Sequence, residues 1–205
     1  MSAREQVLAD VRRAIAAGAG GAEGVEIPRD YRTRSDDGLE TFIARLGHYG
    51  AQSQRVDASG LDEAVRATLR VRGVRRVVAP EGLPDSWLAE SDPLRDEPPL
   101  DPHELDRADG VLTTCAVAIA ETGSIVLDGS AGMGRRALTL VPDYHLCVVK
   151  ASQLVGSVPE AISLLEPTRP LTFVSGPSAT VDIEMVRVAG VHGPRTLDVI
   201  ICTDT

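Results

Sequence analysis

The chain has 205 residues, enough to bury roughly 70% of the surface its unfolded form exposes, so it needs no staple to fold. Hydrophobic residues make up 43% and charged residues 25%, a globular composition that argues against disorder. The net charge of -9 argues against a general DNA or RNA binder, which gains affinity by neutralising phosphates, but leaves room for a local basic pocket for a small anion.

Residues 2–5, Ser-Ala-Arg-Glu, read as a capping box rather than a leader, and no apolar run approaches the ~18 residues of a membrane span. The expected location is therefore cytoplasmic. Val7, Leu8, Val11, Ala14 and Ile15 recur at helical spacing and predict an amphipathic helix over 3–17. Four glycines within residues 18–24 end it. A second helix carries Leu39, Phe42, Ile43 and Leu46 on one face, and residues 52–56 suit a short strand. Ser59 is placed to cap a third helix through Leu61, Val65 and Leu69, and residues 75–79 read as a buried strand. This alternation predicts an α/β fold, an open and mostly parallel sheet with helices on both faces.

Residues 80–102 hold six of the thirteen prolines and read as a linker or flap without long regular elements. Beyond it, residues 111–114, 124–128, 145–149, 171–175 and 197–202 are short apolar runs bounded by Gly or Pro. Helices are expected over 159–165 and from Ser178 through Val181, Met185 and Val186. The expected organisation is one domain over 1–205: a helical part with short strands (1–79), the proline-rich segment (80–102) and a strand-rich core (103–205). Residues 111–203 are expected to form one continuous sheet. Cys115, Cys147 and Cys202 lie far apart without a CxxC, so they read as reduced core residues, with no metal, cluster or disulfide expected.

Three loops carry candidate chemistry. Glu121 follows an apolar run and precedes Thr122 and Gly123; it is either a carboxylate in a partly desolvated site, poised as acid or base, or a turn glutamate in water between two strands. Residues 128–136 combine Gly129, Gly132 and Gly134 with Arg135 and Arg136. They form either a plain glycine loop with solvated arginines or a cradle for phosphate or carboxylate. They match neither the Walker loop nor GxGxxG. In residues 173–182, Ser175, Gly176 and Ser178 lead from a strand into the expected helix, whose N-terminus suits an anion; alternatively Ser178 simply caps that helix. His192 sits in a tight Gly/Pro turn as a structural histidine or a site residue. The candidate catalytic residue is Glu121, and the candidate ligand-binding residues are Thr122, Gly123, Gly132, Gly134, Arg135, Ser175, Gly176, Ser178 and His192. The glycine loop and the Ser175–Ser178 turn are expected to face one cleft, with Arg135 or Arg136 available as a cation for Glu121.

Residues 111–128 with their Ala-Glu-Thr-Gly-Ser core, 132–149 with Gly-Arg-Arg and Pro-Asp-Tyr-His, and 175–194 with Ser-Gly-Pro-Ser and Gly-Val-His-Gly-Pro together resemble the LUD (lactate utilisation) domain family. The resemblance is strongest to its small stand-alone LutC/YkgG type. It implies a fold similar to the ribose-phosphate isomerase, glucosamine-phosphate deaminase and CoA-transferase superfamily (NagB/RpiA/CoA-transferase-like). It also implies a part in oxidising L-lactate to pyruvate beside iron–sulfur and other partner subunits, one of which fuses a LUD domain to an iron–sulfur module. The clustered cysteines of that partner are missing here, and no flavin or nicotinamide motif is present, so no cofactor is expected. The leading reading is a non-redox component that binds a small carboxylate or phosphate, or partner subunits, with no nucleic acid or membrane involved. One alternative is an independent enzyme of the superfamily type using Glu121 as base or nucleophile on a sugar phosphate or acyl thioester; another is a pure interaction module.

Overall fold

A computed structural model describes residues 2–18, 27–180, 188–189 and 193–203. Two compact units divide the chain, residues 1–32 and 33–205. The first contains α1 (Ala3–Gly18), which opens with the expected reciprocal cap: the Glu5 amide donates to Ser2 Oγ at 3.3 Å and the Ser2 amide donates to Glu5 Oε2 at 2.6 Å. Among the described residues, no helix is long and apolar enough to cross a membrane.

The second unit begins with α2 (Leu39–His48), β1 (Gln52–Asp57), α3 (Leu61–Val71) and β2 (Arg76–Val78). Phe42 and Leu46 on α2, and Leu61, Val65 and Leu69 on α3, recur every four residues and are buried, as their spacing predicts. Ser59 does not cap α3; its hydroxyl donates to Asp57 at 2.7 Å, and Gly60 is the N-cap. Asp57 has already turned the chain through its bond from the Gly60 amide, so the serine is drawn back to it.

Next come α4 (Asp85–Leu88), β3 (Asp92–Leu94), α5 (Pro102–Asp106), β4 (Gly110–Thr113), β5 (Val117–Ile119) and β6 (Ser124–Leu127). A 3₁₀ turn (Arg136–Thr139) leads to β7 (Tyr144–Lys150), β8 (Leu154–Val155), α6 (Val158–Leu164), β9 (Thr172–Val174), β10 (Ala179–Thr180), β11 (Val188–Ala189) and β12 (Thr196–Thr203). Six strands pair in parallel in the order β1-β12-β7-β4-β2-β3. The inner strands β7 and β12 are almost wholly buried, which is why they read as continuous apolar runs. The proline-rich segment contributes β3 to the edge of this sheet, where Pro93 is tolerated because an edge strand can leave one side unpaired, and Trp87 and Leu88 of α4 are buried.

Residues 111–203 do not form one sheet. β5, β6, β8 and β9 make a separate four-stranded sheet, β8-β5-β6-β9, with antiparallel β5–β6 and β6–β9 pairs. Both of its faces are covered. Ala118, Ala120, Ile125 and Leu127, with Phe42 and Leu46 of α2, pack on Cys147, Val149, Val199 and Ile201 of the parallel sheet. Val117, Ile119 and Val126 pack on Ala161 of α6. Across the parallel sheet, α3 and α4 cover Val77, Leu112, Leu146, Val148 and Ile200. The helix expected from Ser178 is absent at its start, because Ala179 and Thr180 pair antiparallel with Val188 and Ala189 and the Ser178 amide donates to the Pro194 carbonyl at 2.8 Å. Val181, Met185 and Val186 lie outside the described residues.

Candidate functional site

Glu121 sits in the tight turn joining β5 to β6, the arrangement of a glutamate between two strands. Its amide donates to the Gly156 carbonyl at 3.1 Å, and its Oε1 accepts from the Val158 amide at 3.2 Å. Val158 opens α6, so the carboxylate satisfies one of the amides that a helix start leaves unpaired.

The glycine loop closes on itself and on the strand ends. The Gly132 amide donates to Glu81 O at 2.6 Å, the Thr114 amide donates to Gly132 O at 2.8 Å, and the Ser130 amide donates to Asp128 Oδ1 at 3.0 Å. The Arg135 guanidinium donates to both Asp96 oxygens at 2.7 and 2.9 Å and to Leu100 O at 2.6 Å. Burial alone would raise the Asp96 pKa, but the hydrogen bonds from Arg135 hold it below the usual carboxylate range. Gly129 and Gly134 line a cavity of about 660 Å³ beyond the carboxyl ends of β2 and β3. Glu81, Asp85, Asp96 and Glu97 also line it, and its one arginine, Arg95, pairs with Asp85 at 3.0 Å. Two of its four carboxylates, Asp85 and Asp96, are ion-paired, with Arg95 and Arg135.

A second cleft, of about 280 Å³, lies at the amino ends of β7 and β12. Arg136 lines it from the 3₁₀ turn and Ser175, Gly176 and Ser178 from the segment after β9. The loop and the turn therefore share this cleft only through Arg136; Gly129 and Gly134 face the acidic cavity, and Gly132 is buried between Glu81 and Thr114. The physical reason is the 3₁₀ turn, which carries the chain from one end of the parallel sheet to the other. Arg136 is exposed and its guanidinium has no ion-pair or hydrogen-bond partner among the described residues. Thr122 Oγ1 donates to Ser124 Oγ at 2.8 Å, and Ser124 Oγ lies 2.6 Å from Ser175 Oγ. This chain of hydroxyls ties the β5–β6 turn to the segment that lines the cleft.

Gly176 is at φ +85°, and a Cβ there would collide with Tyr49 at the end of α2, so only glycine lets the turn seat against that helix. The structure thus brings together Thr122, Ser175, Gly176 and Ser178. Gly123 stays in the β5–β6 turn with Glu121, and Glu121 lines neither cleft. His192 lies outside the described residues. Sequence reasoning passed over Ser124 and His145. His145 is 1% exposed, lines the cleft, and has Nε2 2.8 Å from Thr113 Oγ1. Burial pushes its pKa down to about 4. The available signal was a lone histidine opening an otherwise apolar strand.

The LUD domain family model matches residues 102–202. "Lactate utilization protein C" of Deinococcus radiodurans is 52% identical over 168 residues, covering 80% of this chain and 78% of that protein. The protein of the same name from Shouchella clausii is 29% identical, covering 74% and 72%. A crystal structure of a DUF162 family protein from Deinococcus radiodurans superposes with a TM-score of 0.68 at 45% identity, over 80% of this chain and 94% of that one. With these relatives and the family pattern across its second half, the chain belongs to the LUD domain family.

Proposed function

We propose that this protein serves in lactate utilisation as a cytoplasmic, non-redox component that binds a small carboxylate in the cleft beside Arg136. The relatives named lactate utilization protein C support the process. The observation that carries the binding role is the Arg136 guanidinium, an exposed cation without a partner among the described residues, in a cleft that Ser175, Gly176 and Ser178 also line. A cleft of about 280 Å³ falls just below the range of roughly 300–1,000 Å³ that suits drug-sized ligands, so the ligand is small. In this reading the electrons pass through iron–sulfur partner subunits, because three separated cysteines offer no cluster-binding spacing.

Calorimetric titration of the purified protein with pyruvate, L-lactate and inorganic phosphate tests the proposal. A three-carbon carboxylate is expected to bind, and Arg136→Gln to weaken it about 10- to 100-fold, the loss of one charge-assisted contact, with thermal stability unchanged. Absence of binding at millimolar ligand, or equal affinity in the variant, overturns it.

A further inference from the structure

In the parallel β4–β7 pair, Val111 stands opposite His145, so Thr113 lies two residues further along the same face and reaches the imidazole diagonally. Thr113 is 0% exposed, and its hydroxyl has His145 Nε2 as its sole hydrogen-bond partner among the described residues. If Nε2 carried the proton, the threonine hydrogen would be buried without an acceptor, at a cost of about 1–3 kcal/mol. The threonine therefore donates, Nε2 accepts, and the ring proton is on Nδ1. No protein group among the described residues bonds Nδ1. Among those residues no fully enclosed side-chain nitrogen or oxygen lacks a partner, so Nδ1 is open to the cleft that His145 lines.

We propose that His145 is the hydrogen-bond donor in the floor of the cleft, presenting Nδ1–H to an oxygen of the ligand other than its carboxylate on Arg136. The site then selects small carboxylates with a second acceptor oxygen, such as a 2-oxo acid, over those without one. Thr113 is the positioning residue that fixes the ring proton. Because the ring is uncharged at neutral pH, it recognises a polar oxygen without competing with Arg136 for the carboxylate. This selectivity rests on the cleft being the binding site.

The experiment compares pyruvate with propionate, which has the same chain length but no 2-oxygen. Wild-type protein is expected to bind pyruvate at least tenfold tighter than propionate. His145→Leu should abolish that preference while keeping propionate affinity, and His145→Asn, whose amide N–H stands near the place of Nδ1–H, should restore part of it. Thr113→Val should reduce the preference several-fold. Should the His145 variants fail to fold, long-range ¹H–¹⁵N correlation on the wild-type imidazole still decides: the Nδ1–H form is expected, and the Nε2–H form overturns the proposal. Equal binding of pyruvate and propionate, both lost in Arg136→Gln, overturns the selectivity while leaving the cleft as the anion site. Absence of any binding overturns both.

Discussion

Arg135 and Arg136 are neighbours in the chain, yet one guanidinium is spent on Asp96 and the Leu100 carbonyl while the other lines a cleft. The difference comes from Asp96, 39 residues away, which local sequence cannot place beside either arginine. The same holds for Ser175, whose hydroxyl is oriented by Ser124 from 51 residues back. The turn of Ser175, Gly176 and Ser178 after a strand was legible from its Gly-Pro pair; the place of His145 in the cleft was not, because a histidine in a buried strand reads as core. Its burial carries a testable consequence. A histidine whose pKa falls from 6.5 to about 4 on folding contributes stability that is fully present above pH 6.5 and is lost as the pH drops toward 4, because only the unfolded chain takes up the proton. Between pH 7 and pH 5 the wild type should lose about 2 kcal/mol more unfolding free energy than His145→Asn, as measured in urea. Parallel pH profiles for the two proteins would refute the buried neutral state.

At the scale of elements, Glu121 ties the β5–β6 turn to the start of a helix. Its oxygen meets the first amide of α6, and that helix also closes its own start with a box in which the Ser157 amide and hydroxyl both donate to Glu160 Oε2, each at 2.8 Å. Glu121→Gln retains an acceptor and should change stability by less than about 0.5 kcal/mol, whereas Glu121→Ala should cost about 1 kcal/mol, the loss of a helix-start acceptor. Neither change should move pyruvate affinity more than about twofold, since Glu121 lines neither cleft. A Glu121→Gln protein of normal stability that no longer binds ligand would instead place the carboxylate in the binding site. The elements themselves were mostly readable: α2 and α3 follow from apolar spacing, α6 from the proline in its first turn, and β7 and β12 from apolar runs. The antiparallel turn of β5 into β6 was harder to assign to a sheet, because all strand residues from Val117 to Leu127 are buried and carry no alternation to show which face meets which sheet.

Across the whole second unit, the proposed site follows from how the two sheets are arranged. The parallel order changes direction between β2, which leads outward to β3, and β4, which leads inward to β7, and such switch points ordinarily hold ligands at the carboxyl ends of strands. Here that end is occupied by the glycine loop returning from β6, and the cavity beside it is lined with carboxylates. The four-stranded sheet instead carries Ser175 to the amino ends of β7 and β12, where Arg136 and His145 meet it. Residue types alone could not reveal this inversion, because it depends on a second sheet packing face to face on the first. A crystal structure of the protein with pyruvate tests it directly. The ligand carboxylate should lie on Arg136 within the cleft of residues 175–178, with its 2-oxygen toward His145 Nδ1. Ligand seated instead in the acidic cavity at Glu81 and Glu97, beyond the carboxyl ends of β2 and β3, would contradict the account.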